Sequence, residues 1–210
     1  MCLLVGTTGV GKTLLLKRLQ NILYICTDCF LQSTLIGCRE LWWTMELAPW
    51  VDQDTNGICR SSFGGITEAP ATIPTIGTNL VNVNVGKKIE LTIRELGGCM
   101  GPIWHNYYKE VSSLMFMIDI GNPCQLAAAC IQLLTVLSHE QLHNTTVLIL
   151  LNKIDSPCAM KRVELDSLIR MDEIIKHAKQ PITVMEISAR EGEGLDEVIK
   201  WLGDNYKPST

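Results

Sequence analysis

The chain has 210 residues, of which 47% are apolar and 19% charged, and its formal net charge is −4. A chain of this length can bury one sizeable core. Its net negative charge disfavours nucleic-acid binding. Its apolar runs are shorter than the ~18 residues of a membrane-spanning helix. Nine cysteines without a secretory signal indicate reduced thiols. We therefore expect one cytoplasmic domain with no nucleic-acid partner and no transmembrane segment.

Strands and helices alternate along most of the chain. A strand over residues 1–5 leads through a glycine-rich turn to a helix over 12–23. A β-hairpin follows, with alternating apolar positions over 81–85 and 89–93 and a turn at Gly86-Lys87. Further strands at 114–120, 147–151 and 183–187 alternate with helices at 124–137, 163–178 and from Gly194 onward. This order predicts an α/β fold with a six-stranded, mostly parallel sheet and helices on both faces.

Residues 24–68 follow neither a helical nor a strand period. We interpret them as an insertion of uncertain structure in one domain that spans 1–210, because a stretch this long without secondary structure is uncommon inside a compact domain. Two alternatives to an insertion without a defined role stay open. One is a zinc site on Cys26, Cys29, Cys38 and Cys59. The other is a partner-binding loop built on Trp42, Trp43 and Trp50.

The first chemical motif is a G-x-x-x-x-G-K-T loop between the first strand and the first helix. Its glycines allow backbone N–H groups to wrap a phosphate chain. Lys12 can reach the β- and γ-phosphates, and the Thr13 hydroxyl can bind Mg²⁺. The expected nucleotide-binding residues here are Gly6, Thr8, Gly9, Val10, Gly11, Lys12, Thr13 and Leu14. The motif alone does not separate kinases, ATPases and GTPases.

The second motif is expected to select the base. Asn152, Lys153 and Asp155 follow the buried strand 147–151, at the edge of a parallel sheet where ligands bind. The Asp155 carboxylate can accept both hydrogens of the guanine N1 and N2 edge, a pair of donors that adenine lacks. After the last predicted strand, the backbone of Ser188 and Ala189 can hold the guanine O6.

Two further segments are expected to sense the γ-phosphate. Thr75 precedes the hairpin and can offer its hydroxyl to Mg²⁺ and its N–H to the phosphate. At the end of the hairpin, Glu95 can hold a water of the Mg²⁺ and the Gly98 N–H can contact the phosphate. The metal-binding residues are therefore expected to be Thr13, Thr75 and Glu95. Both segments would order with GTP and relax with GDP, as in a molecular switch.

Together these segments resemble the ADP-ribosylation-factor branch of the Ras-like small GTPases. Residues 73–79, Ile-Pro-Thr-Ile-Gly-Thr-Asn, are similar to that branch's switch I. Residues 95–108, which contain Glu-Leu-Gly-Gly and Pro-Ile-Trp, are similar to its switch II. The resemblance covers residues 1–20 and 73 onward. It implies the Ras-like P-loop GTPase fold, GTP or GDP with Mg²⁺ as cofactors, a monomer, and effector, exchange and activating proteins as partners.

The chain departs from the family pattern at three places that matter for function. Glu95 stands where the family has Asp, and Cys99 stands at the position of the catalytic Gln. A thiol cannot hold the attacking water as an amide does, so we expect slow or impaired GTP hydrolysis. Met1-Cys2 opens the first strand where the family has an amphipathic, myristoylated helix, so membrane contact is expected to be peripheral at most, with Cys2 as a conceivable acylation site.

A GTP-binding switch is the leading interpretation, and two others from different classes stay open. One is a non-enzymatic interaction protein whose nucleotide binding the insertion has compromised. The other is a small P-loop kinase or ATPase, for which the chain shows no Arg-rich lid.

Overall fold

One six-stranded sheet organises residues 1–21, 73–85, 89–109 and 111–205, which are the residues that the computed structural model describes. The strands are β1 (Cys2–Gly6), β2 (Thr78–Val85), β3 (Ile89–Leu96), β4 (Ser113–Asp119), β5 (Thr146–Asn152) and β6 (Ile182–Ile187). Their order across the sheet is β2-β3-β1-β4-β5-β6. All neighbouring pairs are parallel except β2 and β3, which form the predicted antiparallel hairpin.

Among the described residues, five helices cover the two faces of this sheet and two 3-10 helices connect other elements. The helices are α1 (residues 12–21), α2 (Pro123–Leu137), α3 (Arg162–Ile169), α4 (Met171–His177) and α5 (Leu195–Asp204). The 3-10 helices are Gly98–Tyr107 and Glu140–Leu142. No helix in the described part of the chain is long and apolar enough to cross a membrane.

Strand β1 lies at the centre of the sheet and separates two hydrophobic cores. Cys2 and Leu4 face the core that α1 and α5 cover. Leu3 and Val5 face the other core, which α2, α3 and α4 cover. Alternating side chains of one strand thus serve opposite faces, and the expected α/β architecture with helices on both faces is confirmed.

The prediction of one helix over residues 163–178 is wrong, because the chain breaks at Arg170. This residue has φ 50° and ψ 52°, a left-handed conformation that ends α3, and α4 starts at the next residue. Ile169 and Met171 both pack into the same core. Residues two apart lie on different faces of a continuous helix, so the break is what lets both of them be buried.

The remaining predicted elements have the expected type, and their ends, where the structure describes them, differ by at most three residues, as at the start of β2 and the end of β3. The hairpin turn at Gly86-Lys87 and the insertion at 24–68, with its cysteines and tryptophans, lie outside the described residues.

Candidate functional site

The carboxyl ends of the parallel strands meet at one edge of the sheet, and the loops that follow them form the candidate site. The loop after β1 carries the phosphate-binding motif, and Lys12 within it is only 5% exposed. Lys12 Nζ donates to the carbonyl oxygens of Gly6 and Thr7, each at 2.9 Å. Burial lowers the pKa of this ammonium to about 8, and the nearby Glu95 and Cys99 offset the shift only in part. A poorly hydrated ammonium is therefore held over the loop.

Two glycines of the site admit no side chain. Gly11 has φ +101°, and a Cβ there would lie 2.6 Å from Nδ2 of Asn152. A Cβ on Gly98 would overlap the backbone of Thr7 and Thr8. The phosphate-binding loop is therefore packed directly against the end of β5 and the residues after β3. Of the other predicted loop residues, Thr8 and Gly9 are exposed, Val10 is buried and Leu14 is half-buried against the core.

The three predicted metal-binding residues come together from three segments. Thr13 Oγ1 donates to Glu95 Oε1 at 2.5 Å, and Thr75 Oγ1 donates to the same oxygen at 3.2 Å. The two hydroxyl oxygens are 3.0 Å apart. Glu95 is 1% exposed, and its Oε2 has no hydrogen-bond partner among the described residues. A buried carboxylate oxygen without a partner is costly, and hydroxyl and carboxylate oxygens are ligands that Mg²⁺ prefers. The residues present therefore fit a divalent cation.

The predicted base-binding residues also converge, and Asn152 connects them to the phosphate-binding loop. Asn152 Nδ2 donates to the Val10 carbonyl at 2.7 Å, and its Oδ1 accepts from the Ala189 N–H at 2.9 Å. Ser188 Oγ donates to Asp155 Oδ1 at 2.6 Å. Asp155 itself is exposed. The two loops after β5 and β6 thus form one wall, with the exposed Asp155 carboxylate available to a ligand.

Sequence reasoning missed Asp119, the last residue of β4. This carboxylate is 5% exposed and accepts from Lys153 Nζ at 2.5 Å, while the same ammonium donates to the Gly9 carbonyl at 2.9 Å. Asp119 is paired in register with Asn152. A signal was available, because an acidic residue that ends a buried parallel strand next to β5 must lie at the same edge of the sheet.

Cys99 follows the two glycines after β3, and its side chain makes a weak contact with switch I. Its thiol is exposed, and Sγ lies 4.0 Å from the Thr75 carbonyl oxygen. The segment that carries it is anchored by Trp104, which is buried and donates from Nε1 to the Gly97 carbonyl at 3.1 Å. The Trp104 ring also packs edge-on against Phe116 in the core. The anchor positions the backbone of Gly97 and Gly98, while the Cys99 thiol makes no strong hydrogen bond within the part of the chain that the structure describes.

This fold, with a phosphate-binding loop after its first strand, is the Ras-like GTPase fold. The sequence profile of the ADP-ribosylation factor family matches residues 65–206. The chain belongs to the ADP-ribosylation factor family, and membership implies guanine-nucleotide binding together with regulators and effectors in general.

Individual relatives agree with this assignment. Human ADP-ribosylation factor-like protein 16 is 48% identical over 207 residues, which cover 99% of this chain and 86% of that protein. ADP-ribosylation factor-like protein 1 of Saccharomyces cerevisiae is 29% identical over 144 residues, covering 68% of this chain and 76% of the yeast protein. The Arl6 BBS3 small GTPase of Trypanosoma brucei, solved with the nucleotide analogue GppNp, superposes with a TM-score of 0.67 at 16% identity, over 97% of this chain and 94% of that one. The last likeness shows the fold.

Proposed function

We propose that this protein is a GTP-binding molecular switch of the ADP-ribosylation-factor-like type that uses Mg²⁺ and hydrolyses GTP slowly. The observation that carries the proposal is the convergence of Thr13, Thr75 and Glu95 on one point, with a buried carboxylate oxygen that has no partner among the described residues. Thr75 belongs to switch I and Glu95 begins switch II. A cation at this point would therefore connect both switches to the phosphate-binding loop.

The residues around that point have distinct roles in the proposal. The Lys12 ammonium and the loop's backbone N–H groups bind the phosphates, and their residues are Gly6, Thr8, Gly9, Val10, Gly11, Lys12, Thr13 and Leu14. When bound, Mg²⁺ supplies positive charge next to the β- and γ-phosphates. Thr75 and Gly98 contribute N–H groups to the γ-phosphate. Asp155 reads the guanine edge, while Asn152, Lys153, Ser188 and Ala189 hold the base loops in place.

Slow hydrolysis follows from the chemistry of Cys99. A thiol is a weak donor and a weak acceptor, whereas an amide offers both in a fixed fork. The exposed Cys99 side chain reaches the Thr75 carbonyl only at 4.0 Å. It is therefore a poor group for orienting an attacking water, and the switch would remain in its GTP form until a partner supplies the missing group.

Partners are proposed to contact the apolar side chains of the two switches. Four large hydrophobic residues around the site are exposed, namely Ile73, Ile76, Leu80 and Ile103. The position of Ile73 and Ile76 depends on Thr75, whose hydroxyl is bonded to Glu95. An effector that covers these residues would therefore distinguish the GTP form, in which Thr75 contacts Mg²⁺ and the γ-phosphate, from the GDP form, in which the γ-phosphate is missing.

The test of nucleotide class compares fluorescent GTP and ATP analogues on the wild-type chain and on Asp155→Asn. We expect the wild type to prefer GTP by at least about a hundredfold, because adenine offers no pair of donors to Asp155. Asp155→Asn should lose most of that preference, since an amide presents a donor to the guanine N–H groups. Asp172→Asn, an exposed acid on α4, is the control and should keep the preference.

Each alternative predicts its own outcome, either in this binding experiment or in a thermal-shift measurement. Equal binding of the GTP and ATP analogues would favour a kinase or ATPase. If saturating GTPγS with Mg²⁺ failed to raise the thermal midpoint, the result would favour a non-enzymatic interaction protein.

A further inference from the structure

Arg18 on helix α1 is a buried charged residue that none of the roles above uses. Its side chain is only 6% exposed, and Nη2 donates to the backbone carbonyl of Arg190, 172 residues away in the sequence. Nε of Arg18 has no hydrogen-bond partner among the described residues. Arginine is rarely this buried without a paired charge, and Arg18 forms no ion pair with any residue that the structure describes. The contact with Arg190 therefore needs an explanation.

Arg190 belongs to the loop between β6 and α5 that the proposed function places against the guanine base. This loop begins with Ser188 and Ala189, whose Oγ and N–H bond to Asp155 and Asn152. Further bonds hold the start and end of the loop to each other: the Gly192 N–H donates to the Ser188 carbonyl at 2.8 Å, and the Ser188 N–H donates to the Glu193 carbonyl at 3.0 Å. Arg190 lies in sequence between the residues that these bonds join. Its carbonyl oxygen accepts the hydrogen bond from Arg18, which lies outside the loop.

Helix α1 thereby connects the two ends of the site. Its first residues, Lys12 and Thr13, belong to the phosphate-binding motif, and about one and a half turns further on Arg18 reaches the base loop. The hydrogen bond is charge-assisted, a kind that is roughly twice as strong as a neutral one. The Arg190 side chain is not part of the contact, because it is exposed and lies near the Glu191 carboxylate at 3.5 Å.

We propose that Arg18 is a positioning residue for base recognition, which holds the Ser188–Arg190 backbone at the distance from α1 that the guanine base requires. This inference rests on the proposed nucleotide site and names a residue that controls its specificity. Loss of the guanidinium should leave the phosphate end intact and loosen the base end. Its effect should therefore appear in discrimination between bases rather than in phosphate binding.

The experiment uses the full chain with Mg²⁺ and measures dissociation constants for GDP and ADP by competition with a fluorescent GDP analogue. ADP shares the ribose and phosphates of GDP, so it reports the phosphate end alone. Arg18→Met should raise the Kd for GDP by about 10- to 100-fold, the range expected for a hydrogen bond to a charged group, and should leave the Kd for ADP within about twofold. Gln20→Met, at an exposed position of the same helix, is the matched control, and both constants should stay within about twofold of the wild type.

The inference would be overturned if Arg18→Met left the ratio of the GDP and ADP dissociation constants unchanged. This holds even if the thermal midpoint of the variant fell, because Arg18 would then serve packing alone. Should Arg18→Met fail to fold, Arg18→Gln keeps a neutral donor group on a shorter side chain. It should raise the GDP constant several-fold with ADP unchanged, and equal changes for both nucleotides would overturn the inference. A wild-type chain without preference for GDP would instead refute the proposed function.

Discussion

At the scale of single residues, the site contains groups that are costly to the fold and useful to a ligand. The Lys12 ammonium has a pKa of about 8, lowered from 10.5 by burial. The unfolded chain therefore binds more protons than the folded chain between these two values, and the free energy of unfolding should rise with pH in that window. Below pH 8 both states carry the charge, and the folded state bears the whole cost of burying it.

Replacing Lys12 should accordingly stabilise the chain while it removes phosphate binding. We expect Lys12→Met to raise the free energy of unfolding of the nucleotide-free protein at pH 7 by about 1–2 kcal/mol, which is the burial cost of the charge less the lost hydrogen bonds to Gly6 and Thr7. The gain should shrink between pH 8 and pH 10.5. Urea unfolding at pH 7 and pH 10 measures both, with Lys200→Met, exposed on α5, as control. A loss of stability at pH 7 would contradict the prediction.

Cys99 gives a second prediction at this scale. Cys99→Gln introduces an amide that can hold water with a donor and an acceptor, and we expect the single-turnover rate of GTP hydrolysis to rise by about 10- to 100-fold, as positioning effects of this kind do. Cys158→Gln, another exposed cysteine, should leave the rate unchanged. An unchanged rate in Cys99→Gln would mean that Glu95, or the segment after Gly98, limits the reaction instead of the thiol.

At the scale of elements, local pattern predicts strands and most helices but not the interruption at Arg170. Apolar spacing indicates a helix across residues 163–178, since neither glycine nor proline interrupts it. The interruption arises because Ile169 and Met171 are both drawn into one core. Both residues are buried because of the sheet that the helices cover, and the position of that sheet cannot be read from the local sequence.

The left-handed Arg170 therefore offers a stabilising substitution. Glycine adopts this conformation without the steric cost that a side chain carries, so Arg170→Gly should raise the free energy of unfolding by about 0.5–1 kcal/mol. The ion pair with Glu173 is exposed and its loss should matter little. Urea unfolding compares this variant with Ser167→Gly inside α3, where glycine should be destabilising by up to about 1 kcal/mol. If both variants were destabilised equally, the conformation of Arg170 would not be what matters.

At the scale of the whole molecule, we propose that residues 1–210 form one domain into which 24–68 is inserted. The described residues on either side of this segment belong to the same fold. Before it, α1 packs against β1 in one hydrophobic core, and after it, β2 and β3 extend the same sheet. Lengthening a loop from ~12 to ~48 residues costs only about 1.2 kcal/mol of closure entropy. A fold of this kind can therefore accept the segment without depending on it.

Replacing residues 24–68 by a linker of about 12 glycine and serine residues should consequently leave the core folded. We expect the Kd for GDP to stay within about threefold of the full chain and the free energy of unfolding to rise by roughly 1 kcal/mol. Competition binding and urea unfolding measure the two quantities. Nucleotide binding that appears only after the replacement would favour the interpretation of an interaction protein whose site the insertion has compromised.

The class of fold and the position of most loops that carry chemistry could be predicted from the amino-acid sequence alone. Apolar periodicity and a glycine-rich motif are local, so the order of strands and helices and the places of Lys12, Thr75, Asp155 and Ser188 could be predicted. The pairs that complete the site and were not predicted join distant residues: Asp119 with Lys153, Asn152 with Ala189, and Arg18 with Arg190. These pairs appear only in the folded chain, because they depend on β5 lying between β4 and β6 and on the side of the sheet that α1 covers. No local pattern records the order in which strands are placed in a sheet.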